Sequence, residues 1–486
     1  MNSALILAAI IIFTSIIILV PGLGAPAVIV VLVLASIASV IIYSNRAHGP
    51  FLLRIFICGL MIRIIIGTTI YLFNLQEFFG GDAITYDQFG LLTLNIWQGK
   101  DMHLKYYVES YYLGGGWGML YMVAAIYGII GRNPLAIQFI SAVAGAATAP
   151  AIFLCALRIF QSIKVARTTA LFAAFYPSLI LWSSQGLKDG LIVFLLSAIM
   201  LITLRLGEQF SVKNLLILGF ALLCLLSLRF YIFYMMVAAI GGSLVIGMRS
   251  TTMTSMFRQF ATVIVIGLFL TYFGVLRTAT QQFETYGNLQ RIQTGRLDQV
   301  QTANSSFGAD VDVSTTTGAL SAIPIGMTYL LFAPFPWQLA TVRQSLTLPE
   351  MLVWWGAFPF LVLGLWFTLK YRLRQALPIL LFSSMLTLSY SIFQGNVGTA
   401  YRQRSQLMVF YFIFAAVGFA LVQEIREEKN RLSRAKAEEQ AAKQVALRLS
   451  RAATGAGAAP SPAIWKQDAP VKMEEAKNEE GRKDSR

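Results

Sequence analysis

Long apolar stretches of the chain run without a charged residue, among them 4–20, 25–43, 351–368 and 407–422, with a shorter one at 190–204. Most lie close to the ~20 residues that a helix needs to cross the hydrocarbon core of a bilayer. None alternates polar and apolar residues with a period of two, as barrel strands do, and in lipid a helix satisfies its own backbone groups. The pattern predicts an all-α polytopic membrane protein. Only Met1, Asn2 and Ser3 precede the first run, which lacks the basic start of a secretory signal. Pro21-Gly22-Leu23-Gly24 reads as a tight turn, so the first run is expected to stay as a helix paired with the second.

Basic connectors orient the threading, because Lys and Arg gather in cytoplasmic loops. They fall at 46–54, 158–167, 205–213, 249–258 and 370–374, and the tail after 425 is also rich in Lys and Arg. Placing all of them inside gives spans near 4–20, 25–43, 51–73, 134–155, 168–182, 187–204, 213–228, 231–248, 259–276, 349–369, 376–392 and 405–424. The expected bundle therefore has about 12 transmembrane helices, within a range of 11 to 14. Two further apolar segments, 114–130 and 320–340, would break the parity as full crossings. The second also carries Pro324, Pro334 and Pro336, which remove helix donors. Both are expected as re-entrant or juxtamembrane helices on the outer side, tolerable where protein or a cavity covers the backbone.

Composition narrows the reading. Of 486 residues, 57% are hydrophobic and 13% charged, against roughly 25% charged in soluble domains. The sequence divides into a transmembrane domain at 1–424 and a charged cytoplasmic tail at 425–486. The first contains an extra N-terminal helix pair within 1–45 and outer loops at 74–133 and 278–348. The tail is expected to be helical where charges of both signs interleave with Ala and Leu, then disordered. The net charge of +15 is explained by orientation and anionic lipid, and implies no nucleic-acid partner. Cys58, Cys155 and Cys224 sit in apolar runs, and His48 and His103 stand apart, so neither a disulfide framework nor a metal-ligand spacing emerges.

In this threading the polar chemistry collects outside. Asp82 follows Gly80-Gly81 and precedes an amphipathic stretch at 83–97 that includes Tyr86. Its ordinary reading is a helix N-cap; its chemical reading is a general base within reach of a hydroxyl. Asp87 reads as solvated helix surface. Lys188-Asp189 is either a snorkelling lysine with a solvated or capping partner, or a phosphate-facing cation beside a second carboxylate. Arg229 lies between two spans and needs water, a carboxylate or a lipid phosphate. Arg402 and Arg404 flank a polar turn, and guanidinium forks suit phosphate oxygens. Arg63, in mid-span, has no partner that the sequence names. Cations gathered beside a carboxylate suggest a phosphate leaving group, on a lipid, and a nucleophile that must lose a proton.

The loop Gly81-Asp82-Ala83-Ile84-Thr85-Tyr86 resembles the signature loop of GT-C glycosyltransferases. The likeness is to bacterial proteins similar to dolichyl-phosphate-mannose protein mannosyltransferases and to the lipid A aminoarabinose transferase. Gly131-Arg132-Asn133-Pro134 through Ala144-Gly145, Leu157-Arg158-Ile159-Phe160, and 170–177 followed by Leu187-Lys188-Asp189 are similar to later parts of the family. The resemblance covers roughly residues 50–425 and rests on short motifs. It implies a GT-C-like bundle in a bacterial cytoplasmic membrane, with its active site on the non-cytoplasmic face. The implied reaction is an inverting transfer of a sugar from a polyprenyl-phosphate donor to a saccharide, lipid or protein acceptor.

On that resemblance Asp82 is the catalytic base and Asp189 a second active-site carboxylate. Tyr86, Lys188 and Arg229 bind substrate, while Arg402 and Arg404 are assigned to the carrier phosphate on chemistry alone. No cofactor or metal ligand is assigned, and a divalent metal is left open. Two departures stand out: many relatives have Asp-Glu where this chain has Asp82-Ala83, and two extra spans precede the usual first helix. With no large domain after the last span, acceptor selection is expected in 278–350. A polysaccharide polymerase or ligase and a lipid-linked-saccharide transporter remain the alternatives. A transporter would more often place ionisable groups at mid-membrane, in repeated halves.

Overall fold

The computed structural model describes residues 3–113, 116–246, 267, 287–302, 305–308, 311–339 and 341–454. The span expected at 259–276 falls outside them except for Gly267, as does the tail beyond 454. The described elements are α1 (Ser3–Leu19), α2 (Gly24–Tyr43), α3 (Gly49–Leu72), α4 (Asp82–Trp97), α5 (Lys105–Leu113), α6 (Trp117–Ile130), α7 (Pro134–Phe160), α8 (Ile163–Phe175) and α9 (Pro177–Ser183). They continue with α10 (Lys188–Glu208), α11 (Val212–Leu228), α12 (Phe230–Ile246), α13 (Leu289–Thr302), α14 (Thr316–Phe332), α15 (Val342–Tyr371), α16 (Leu373–Phe393) and α17 (Val397–Thr454). No strand occurs among the described residues; one isolated bridge pairs Ser306 with Asn396.

Seven of these helices, α2, α3, α7, α10, α15, α16 and α17, are long and apolar enough to cross a membrane. The chain is a multi-pass α-helical membrane protein. The stretch expected as one span at 168–182 is a bent pair instead: α8 and α9 meet at 51°. Pro177 explains the break, since it has no N–H to give the preceding turn and biases Tyr176 to extended backbone. The helices α1, α6, α11, α12 and α14 are apolar but shorter. Two of these, α6 and α14, cover most of the segments expected to be re-entrant, and α14 carries Pro324 inside it.

Capping is local and legible. Asn133, Ser162, Ser211, Thr315 and Thr341 each accept a bond from the backbone N–H three residues on, at the starts of α7, α8, α11, α14 and α15. At the centre stands α7, buried around most of its circumference and packed by α2, α3, α8 and α10. Its Ala-, Gly- and Ser-rich sequence lets neighbouring backbones approach closely.

Three buried arginines, each 1% exposed, close helix ends inside this bundle. Where α8 breaks, Arg63 donates to Ala174 O (3.0 Å) and to Ser183 Oγ (2.8 Å). At the end of α16, Arg296 donates to Ile392 O (2.9 Å). At the end of α14, Arg404 donates to Leu331 O (3.1 Å) and Ala333 O (3.0 Å), and Trp354 adds a bond to Leu331 O (2.7 Å). The last carbonyls of a helix have no partner within it, so a buried end needs such donors. This accounts for Arg63.

The chain divides into two compact units, Met1–Leu421 and Val422–Arg486. In the second, 422–454 is helical and exposed from 423 through 451, with Lys443 paired to Glu439 at 2.7 Å.

Candidate active site

Four helix starts supply the charged groups that meet in the first unit. Asp82 is the first residue of α4. Gly81, at φ +72°, takes the cap position in a left-handed conformation that favours glycine, and Asp82 makes no capping bond. Leu187 caps α10, placing Lys188 and Asp189 in its first turn. Arg229, extended at φ −153°, joins α11 to α12. Arg402 lies in the second turn of α17. Helix N-termini carry partial positive charge, which favours carboxylates and phosphates there.

Arg402 ties the group together across 320 residues of sequence. Its Nη1 donates to Asp82 Oδ2 (2.5 Å), while Nε and Nη2 donate to Asp189 Oδ2 (3.0 and 2.6 Å). Arg229 Nη2 stands 3.6 Å from the other oxygen of Asp189 and also donates to Tyr231 (Nη1–Oη 3.1 Å). The Asp189 side chain is 1% exposed and the Asp82 side chain 47%. Asp189 is therefore an enclosed anchor held by two guanidiniums, whereas Asp82 keeps Oδ1 outside the ion pair. Close packing fixes Asp189: a Cβ at Gly190 would meet Ser141 Oγ at 2.7 Å and Ser183 Cβ at 2.9 Å. Trp182 lies beneath Arg402, its ring centroid 5.5 Å from the guanidinium carbon, a desolvated geometry that favours the cation.

Tyr86 follows Asp82 by one turn and is buried, with Lys188 Nζ 5.8 Å from its ring centroid. Burial pushes its phenol well above the ordinary tyrosine range, and the nearby Asp82 and Asp189 charges push the same way. It stays neutral and can act as a hydrogen-bond donor. Asp82, Asp189, Arg402, Arg229, Lys188 and Tyr86 thus come together, with three cations facing two carboxylates.

Arg404 does not join them. The reading that gave it the carrier phosphate is corrected by its burial and its carbonyl partners at the end of α14; Met351 Sδ accepts its remaining Nη2 contact at 2.9 Å. Asp87 is no solvated surface group either. Its Oδ1 accepts from Tyr127 (2.6 Å) and Arg132 Nε (3.2 Å), and its Oδ2 from Arg132 Nη2 (2.5 Å).

The cluster borders a cavity of about 970 Å³, lined by Asp82, Arg229, Arg402, Trp182, Arg343 and Glu350 among others. That is at the large end of the ~300–1,000 Å³ typical of ligand sites. Glu350 was missed by the sequence reading. It is 4% exposed and accepts from Tyr401 (Oη–Oε2 2.8 Å). Its signal was present, since an ionisable residue at the mouth of an apolar span is a functional candidate. Among the described residues no three His, Cys, Asp or Glu side chains form a metal-binding group. The chain matches no protein-family model and no curated protein.

Proposed function

We propose that the protein is a GT-C-type glycosyltransferase of a bacterial cytoplasmic membrane, moving a sugar from a polyprenyl-phosphate donor to an acceptor on the non-cytoplasmic face. In this reading α1, α11 and α12 join the seven long helices and the α8–α9 pair as crossings, the expected count is about 12, and the charged tail is cytoplasmic. The observation that carries the proposal is the pairing of half-exposed Asp82 with Arg402 and enclosed Asp189 at the edge of an arginine-lined cavity.

The chemistry follows from those partners. A carboxylate oxygen of Asp82 takes the proton of an acceptor hydroxyl. The freed oxygen attacks the anomeric carbon from the face opposite the carrier. The bond from that carbon to the phosphate oxygen breaks, and the electron pair leaves on the phosphate. Inversion at the anomeric carbon results. Arg402, Arg229 and Arg343 line the cavity and in this reading hold the carrier phosphate, since fixed donors act most strongly where charge develops. Asp189 keeps Arg402 oriented. Lys188 and Tyr86 add a cation and a neutral donor beside the first turn of α4.

The test is transfer itself. Purified protein in proteoliposomes receives a polyprenyl-phosphate sugar, with membranes of its host depleted of the protein as acceptor. Protein-dependent release of polyprenyl phosphate, coupled to a glycosylated product with inverted configuration, is expected. Product that retains the donor configuration, or none with any polyprenyl-phosphate sugar tried, refutes the proposal.

A further inference from the structure

The helix α4 also borders a second cavity, of about 350 Å³, which shares no lining residue with the larger one. It lies between the end of α3, the start of α4, α6 and the first turns of α7. Its chemistry differs throughout. No lysine or arginine lines it among the described residues, and two acids, Glu77 and Asp87, do. Among the lining residues an anion would find carboxylates and no cation, and the nearby Arg132 is already engaged by Asp87. Three tyrosines, Tyr71, Tyr86 and Tyr127, and three carboxamide residues, Asn74, Gln76 and Gln138, line it.

One of these groups is unmet. Gln138, in the second turn of α7, is 2% exposed, and its Oε1 has no hydrogen-bond partner among the described residues. Buried acceptors are seldom left in that state, and an exception calls for a ligand or water. The wall around it is set in place. Asp87 is held by Tyr127 and Arg132, which fixes the tyrosine ring on one side. Asn74, at φ +51°, ends α3 in the left-handed conformation that Asn tolerates, and stands exposed at the rim.

We infer that this cavity is a binding site for an uncharged saccharide, one or two rings in size, and that it holds acceptor sugar rings next to the one whose hydroxyl reaches Asp82. Hydroxyls would meet the carboxamides, with Gln138 Oε1 accepting one, and the apolar ring faces would lie on tyrosine. The donor's own sugar is bonded to its phosphate and stays with the arginines of the larger cavity. The role as acceptor rests on the transferase reading; the preference for a neutral saccharide does not.

Full-length protein in nanodiscs, exposed to an array of neutral mono- and disaccharides with matched uronates and sugar phosphates, tests the site. Neutral sugars should be retained and their charged counterparts not. Gln138→Leu should weaken retention about tenfold or more, as for a lost buried hydrogen bond. Asn74→Gly, at the exposed rim, removes the carboxamide and keeps the left-handed backbone; it should weaken retention with little change in thermal stability, which decides the matter if the Gln138 variant does not fold. Absence of neutral-sugar retention, preference for the anionic sugars, or retention indifferent to the folded variants overturns the inference. Polyprenyl phosphate binding, measured on the same discs, separates the two proposals. Carrier binding without saccharide capture removes this site alone, and capture without carrier binding removes the transferase reading alone.

Discussion

At the start of α17, Arg402 reaches Asp82 and Asp189 beside a cavity of about 970 Å³, while Arg404, two residues on, turns to the carbonyls that end α14. The two share a side chain, a helix and a sequence context, and differ in what they meet. Arg404, like Arg63 and Arg296, gives its protons to carbonyls that a finished helix end leaves unpaired. Removing one exposes the cost of a buried unpaired acceptor. Arg402 gives its protons to two carboxylates, Arg229 donates to Tyr231 and stands 3.6 Å from Asp189, and both line the cavity. On the proposed reading, a guanidinium spent on backbone carbonyls at helix ends holds the fold, and one shared between carboxylates and a cavity receives an anion.

Substitutions can break this division at several points. Arg402→Lys keeps the charge but loses the fork that spans both aspartates, and should lower transfer by about a hundredfold or more. Thermal stability should fall far less, and steady-state transfer measured beside a thermal melt reads both. Arg404→Leu should do the reverse, costing about 3 kcal/mol of stability through orphaned carbonyls, with activity per folded molecule close to that of the parent. If Arg404→Leu instead abolishes transfer in a stable protein, the division is wrong.

Arg63→Leu leaves Ala174 O unpaired at the α8 break and should cost about 2 kcal/mol, read as a lowered unfolding midpoint. The smallest effect belongs to Arg132→Ala. Its side chain is 52% exposed, and a surface ion pair contributes no more than about 1 kcal/mol. A thiol-reactive, membrane-impermeant reagent sharpens the orientation, with native cysteines replaced. Cysteines at exposed positions 88 and 398 should label from outside intact cells, and one at 375 only after permeabilisation. Reversed labelling contradicts the placement of the site.

Much of the fold could be read from the chain because a membrane demands long uncharged helices, and the runs at 25–43, 351–368 and 407–422 have no other use. The break at Tyr176-Pro177 was also written there, in the proline, yet the hydropathy runs on across it. Asp82, Asp189, Arg229 and Arg402 could be singled out as costly charges near helix starts. Their meeting could not, since nothing local tells residue 402 that residues 82 and 189 will be its partners. Arg404 misled for a related reason. What it caps is created by the end of α14 some 70 residues earlier, so its role is tertiary. Glu350 was legible as a carboxylate beside the apolar run of α15 and its partner Tyr401 was not, while Asp87 was hidden by the tyrosine and arginine that arrive from α6 and the turn after it.

The central claim is that Asp82 is the proton acceptor in a transfer whose phosphate is held elsewhere. The direct measurement compares Asp82→Asn with the parent in proteoliposomes, following both polyprenyl phosphate binding and sugar transfer. Binding should be retained and transfer lowered by about 10²–10⁴-fold, the usual contribution of a positioned base. Transfer at the parental rate by the folded variant would contradict the account.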